Sequence, residues 1–159
     1  EVNFKLNMKK ISIILLFSLL HLNAYPEARK PIEILADSME WNKQLGQAIA
    51  TGNAKAIQGQ TTIKANKIIA VLSEENSQQI MELQASGKVE FLKDEQLATG
   101  DKATYYLNQD KVIITGNVEL KKDGNIIKGE KLVIDFLTGL SKMEGSGTNQ
   151  KVKMKYIAE

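Results

Sequence analysis

From Pro31 onward the chain alternates polar and apolar residues over short runs. Asn117-Val118-Glu119-Leu120 and Lys131-Leu132-Val133-Ile134-Asp135-Phe136 are two examples. A two-residue period puts successive side chains on opposite faces of a strand, one face buried and one wet. No stretch carries a convincing helical period. Turn residues fall between the runs at Gly59, Asn108-Gln109-Asp110, Asp123-Gly124-Asn125 and Thr138-Gly139. Ser73 to Gln79 is polar and reads as a longer loop. The pattern predicts an all-β domain.

The runs repeat. One marker is a Gly that opens a strand: Gly52-Asn53-Ala54-Lys55-Ala56, Gly87-Lys88-Val89-Glu90-Phe91, Gly116-Asn117-Val118-Glu119-Leu120, then a degenerate Gly145, in steps of 35, 29 and 29 residues. A second marker is a small residue followed by Asp, Asn or Glu: Ala36-Asp37, Ala65-Asn66, Gly100-Asp101 and Gly129-Glu130, in steps of 29, 35 and 29. The two markers stand 13 residues apart in each complete unit, and the loop at Ser73 to Gln79 accounts for the one long step. A unit of about 29 residues with roughly three short strands cannot bury an apolar face alone, so units must stack to share a core.

Alternation then assigns the faces. Counting from the first marker, Ala54, Ala56, Val89, Phe91, Val118 and Leu120 point inward. From the second marker the inward set is Met39, Trp41, Ile68, Ala70, Ala103, Tyr105, Leu132 and Ile134, extended by Leu72, Leu107 and Phe136. Ahead of the first marker come Ala48, Ala50, Leu83, Ala85, Val112 and Ile114. Lys55, Lys88, Glu90, Glu119, Lys121 and Lys131 point outward. Trp41, the single Trp, reads as a core plug. Tyr105 and Tyr106 fall on opposite faces, so at most one lines the interior. Asp37, Asp101 and Glu130 recur at one repeat position. A metal ladder is one reading of them, and bonds to backbone at a turn or bend are the favoured one.

The opening of the chain has a different texture. Met8-Lys9-Lys10 is a basic n-region, Ile11 to Leu20 is apolar, and Leu22-Asn23-Ala24 offers a cleavage site. The apolar run is shorter than the roughly 20 residues of a membrane span. It reads as a secretory signal peptide, with an uncleaved anchor as the alternative. Residues 1–24 are therefore expected to be an upstream extension plus leader, and 25–159 a single β-domain. Lys5, Lys9, Lys10 and Glu1 leave with the leader, so 21 basic and 19 acidic residues become 18 and 18. A neutral chain gives no charge argument for nucleic acid. Cys is absent and the only His, His21, lies in the leader. The remaining chain thus lacks the commonest general base, and it shows no nucleophile–base pair, nucleotide loop or zinc spacing. We expect neither an enzyme nor a cofactor.

Ile34-Leu35-Ala36-Asp37-Ser38-Met39-Glu40, Gly46, Ala48, Thr51-Gly52-Asn53-Ala54, Gln58-Gly59 and Ile63-Lys64-Ala65-Asn66 together resemble the OstA-like family of lipopolysaccharide-export proteins. The resemblance runs from Pro31 to Gly145. It implies an open, twisted antiparallel β-jelly roll, a V-shaped stack with an apolar groove. It also implies a periplasmic location, a lipopolysaccharide cargo, and three kinds of partner: an inner-membrane export complex with its anchored periplasmic subunit, an outer-membrane translocon, and like domains joined head to tail. Asn66 stands where the family has Asp, and the chain ends soon after Gly145.

A lipid cargo suits these residues. Burying one CH₂ is worth about 0.8 kcal/mol, so an acyl chain of a dozen carbons costs on the order of 10 kcal/mol to expose. A β-stack open along one side would cover it. The expected lipid-binding interior is Trp41, Ala54, Ala56, Ile68, Leu83, Val89, Phe91, Tyr105, Ile114, Val118, Leu120, Leu132, Ile134 and Phe136. The rival is a structural envelope protein with a dry core in which each Ala faces a bulky neighbour. A membrane-anchored relative with the same domain is a further alternative, separated by whether the leader is cleaved. Two terminal segments read as edge strands, with Ile32 and Ile34 in the first and Val152 and Met154 in the last. They are candidate docking edges by strand addition. Alternatively, Lys151, Lys153 and Lys155 only solubilise the last edge or meet lipid phosphates.

Overall fold

The computed structural model describes residues 30–75, 79–147 and 151–156. The proposed leader lies outside them. The strands are β1 (Glu33–Leu35), β2 (Ser38–Asn42), β3 (Gln47–Gln58), β4 (Thr61–Leu72), β5 (Ile80–Lys93), β6 (Gln96–Tyr106), β7 (Lys111–Lys122), β8 (Asn125–Asp135), β9 (Leu140–Glu144) and β10 (Lys153–Lys155), with a 3₁₀ turn at Leu107–Gln109. All ten belong to one antiparallel sheet in chain order, β1-β3-β4-β5-β6-β7-β8-β10, with β2 also on β3 and β9 also on β8. The sheet is open at both ends, as expected for an open antiparallel stack.

Each complete unit holds two long strands rather than three short ones. β3, β5 and β7 have 12, 14 and 12 residues, about twice the usual length. The Gly marker does not open a strand; it bends one in the middle. Gly52-Asn53, Gly87-Lys88 and Gly116-Asn117 all have positive φ, and the pairing register shifts at each of them. Two residues on the bent strand oppose a single Asn66, Asp101 or Glu130 on the next strand, which makes each site a β-bulge.

The bulges divide every long strand into two arms. β2 pairs with the first half of β3 and β1 with its second half. β9 and β10 divide β8 in the same way. The arms face each other. Phe91, beyond the bulge of β5, stacks on Phe136 with centroids 5.9 Å apart and meets Tyr105 edge-on at 5.6 Å, and both partners lie in the other arm. The result is a V, with the bulges along its spine and the hairpin turns along its mouth.

The second marker explains itself at the spine. A Cβ on Gly100 would come within 2.6 Å of Ile114 in the opposite arm, and one on Gly129 within 2.6 Å of Met143. The arms converge there, so only small residues fit. The polar residue beside each small one serves the bulge. Asp37 accepts a hydrogen bond from Asn53 Nδ2 (2.8 Å) and Asp101 one from Asn117 Nδ2 (3.0 Å). These carboxylates bond to side chains, not to backbone as the sequence suggested, because the bulge turns its Asn toward them.

Candidate lipid-binding interior

Residues opposite each other in a ladder share a face, so the register gives the inner rows directly. One row in the second arm runs Ile34, Ala56, Ile63, Phe91, Ala98, Leu120, Ile127, Met154. A matching row in the first arm runs Trp41, Ala48, Ala70, Leu83, Tyr105, Val112, Ile134, Ser141. Nearly every position is apolar from one open edge to the other. Ala54, Ala56, Ile68, Leu83, Val89, Phe91, Tyr105, Ile114, Val118, Leu120, Leu132 and Ile134 all belong to the buried core, each below 5% exposed. Phe136 packs on it half-buried. Tyr106 lies on the other face from Tyr105, as alternation required.

Trp41 is the exception. It lies on the inner face but is 57% exposed, as is Met39. It is no core plug: β2 is an edge strand, and among the described residues no further strand covers it. At the other edge Met154 is likewise on the inner face and 61% exposed, while Val152 is 40% exposed. Ile32 and Ile34 differ, being half-buried against the core. Counting forward from the markers missed Ile63, Ala65 and Ala98, all buried. On β4 the inner face shifts from Ala65 to Ile68, three residues on, because the facing bulge shifts the register. A count run backward from the second marker would have found them.

The interior is filled. No water-sized space reaches Ile68, Ala70, Val112, Ile114 or Leu132, which have no exposed surface. At the mouth a hollow of about 410 Å³ opens between Lys30, Thr61 and Lys93 on one side and Tyr105, Leu107 and Asp110 on the other. The outer face carries paired charge. Glu119 accepts from Lys128 (2.6 Å) and Lys121 (3.2 Å), and these hydrogen bonds hold its carboxyl below the ordinary value of 4.5. Lys142, bonded to Glu144 at 2.6 Å, is held above its ordinary value, and Glu144 below its own.

An open antiparallel sheet folded into a V, apolar inside and charged outside, defines a β-stack of the jelly-roll kind with an apolar interior along its length. Residues 33–140 match the family described as "LptA/(LptD N-terminal domain) LPS transport protein", and the chain belongs to that family. Among curated proteins it is 28% identical over 120 residues to the lipopolysaccharide export system protein LptH of Pseudomonas aeruginosa, covering 70% of this chain and 67% of that one. It is 27% identical over 132 residues to LptA of Haemophilus influenzae, covering 78% and 76%. The crystal structure of Pseudomonas aeruginosa LptH, described as the periplasmic component of its lipopolysaccharide transport device, matches with a TM-score of 0.71 at 20% identity. That match covers 84% of this chain and all of that one, and it establishes the shared fold.

Proposed function

We propose that the protein is a periplasmic lipopolysaccharide-binding transport protein. It covers acyl chains between its two arms while the sugar–phosphate head stays in water. One observation carries this reading: the inner rows are apolar from edge to edge except at Ser141, and Trp41 at one edge and Met154 at the other are left exposed. Membership of a lipopolysaccharide transport family agrees with it. The protein has no chemistry of its own in this scheme and needs no cofactor. The leader directs export and is cleaved off. The edges near Ile32, Ile34, Val152 and Met154 dock the inner-membrane complex, the outer-membrane translocon or another copy, so that the interior continues from one protein into the next.

A dry structural stack is the second reading, favoured by how completely the interior is filled. One experiment separates them. A photo-crosslinking residue is placed at Phe91, Leu120 or Ile134, with Glu90 as the outward control, in cells making lipopolysaccharide. Lipid adducts at the inward positions and none at Glu90 support transport. Silence at all three inward positions, with the protein folded and exported, leaves the structural stack.

A further inference from the structure

A filled interior admits an acyl chain only if the arms part, and the hairpin turns lie along the mouth. Among the described residues one ion pair joins the two arms there. Lys93, the last residue of β5, reaches from the second arm to Asp110, which follows the 3₁₀ turn in the first, at 2.5 Å. The remaining pairs each stay within one arm. The Lys93 side chain is 14% exposed, against 32% to 66% for the other paired lysines.

The surroundings tie Asp110 to its own arm and hold Lys93 against the opposite one. Tyr105 Oη donates to the same Asp110 oxygen at 2.7 Å, and the Asp110 carbonyl accepts from the Phe136 N–H at 3.0 Å. Lys93 Nζ lies 4.2 Å from the Phe136 ring centroid and 5.8 Å from that of Tyr105. Parting the arms therefore takes Lys93 from its carboxylate and from both rings at once. A cation left without a counter-charge in a partly dry site resists that motion. A neutral lipid offers nothing in return. An anionic one carries the missing charge to the place where its chains would pass.

Two further groups are set for such a headgroup. Lys30 lines the same hollow. Gln96, directly opposite Lys93 in the ladder, has a buried side-chain oxygen with no hydrogen-bond partner. Buried while the arms are closed and outside the lining of that hollow, its amide meets a headgroup only once the arms part.

We propose that Lys93 and Asp110 form a latch across the mouth, and that it is opened by a phosphorylated lipid whose phosphate replaces Asp110 as the counter-ion of Lys93. This rests on the lipid-carrying reading and adds to it the way in and the headgroup chemistry that is read there.

The chain has no Cys, so K93C/D110C can be joined across the mouth by a short bis-maleimide without interference. The joined protein should bind acyl-labelled lipid A at least about tenfold more weakly than the same variant with free thiols. Joining K64C/E90C, both within one arm, should change nothing. Equal binding by joined and free K93C/D110C overturns the latch. Lys93→Gln is the second variant. The wild type should prefer lipid A bearing its phosphates to the dephosphorylated lipid, and Lys93→Gln should lose that preference; a preference kept by the variant overturns the phosphate exchange. Inorganic phosphate that blocks lipid binding at concentrations matching the lipid's means an isolated anion site, and overturns the coupling of phosphate to opening. A wild type that captures no lipid removes the transport reading and the latch with it. Capture by the wild type with no effect of joining removes the latch alone.

Discussion

Replacing Gly116 by Ala tests whether the repeat is a steric device or a coincidence of spacing. Gly116 has φ +80°, and an added Cβ would overlap the Asp101 carboxylate and lie 2.8 Å from Asp101 Cβ and 2.9 Å from its Cγ. The left-handed conformation alone costs Ala about 1–2 kcal/mol. Crowding adds about 1–3 kcal/mol, and pushing Asp101 aside gives up its bond from Asn117, about 1 kcal/mol more. The sum is on the order of 3–6 kcal/mol. Gly124 is the internal reference: its φ is +74° and nothing lies within 4 Å of its Cβ position, so Gly124→Ala costs the conformational part only. Urea unfolding reads both. With a slope of about 2 kcal/mol per molar, Gly116→Ala should lower the midpoint by about 1.5–3 M and Gly124→Ala by no more than about 1 M. Asp101→Ala removes the overlapping carboxyl, so in the Gly116→Ala background it should cost about 1 kcal/mol less than it does alone. Equal costs at Gly116 and Gly124, or strict additivity with Asp101→Ala, would refute the docking of the two markers.

Phe91→Ala should cost about 3–5 kcal/mol in urea unfolding, because it empties the contact between the arms, whereas Trp41→Ala should cost less than about 1 kcal/mol at its exposed edge. The depressed carboxyl of Glu119 contributes stability above the ordinary value of 4.5 and loses it as pH falls through the lower folded value. The gap in urea midpoint between wild type and Glu119→Gln should therefore narrow as pH drops below 4.5, and a gap unchanged by acid would contradict the assignment. Deleting Lys151 to Glu159 should reduce self-association measured by light scattering at high concentration; an unchanged mass would remove the docking role of that edge.

Most of the inner face was legible because alternation is local and the markers reset the count. Val89, Phe91, Val118 and Leu120 could be placed from a Gly two or four residues upstream. What the count lacked was pairing. Nothing in Gly87-Lys88 distinguishes the start of a strand from a bend within it until the neighbouring strand shows one residue opposite two. The burial of Ile63 and Ala98 was hidden for the same reason. Trp41 misled because its alternation is correct: a side chain can face inward on an edge strand and still be wet. The Lys93–Asp110 pair joins residues 17 apart across two arms, and no period in the sequence marks it.

Each long strand bonds to the strands before and after it in the chain, so the sheet has no closing pair. A barrel fixes its strand number by closure, but this stack does not. Folding can begin at any hairpin and run outward both ways, and stability accumulates by neighbour terms. One unit contributes two strands, about 10 Å of interior at the spacing of a sheet. Gain or loss of a unit by duplication or deletion in the gene would lengthen or shorten the covered track by that step and leave each corner intact. The distance such a protein spans is thus set by counting, not by redesign.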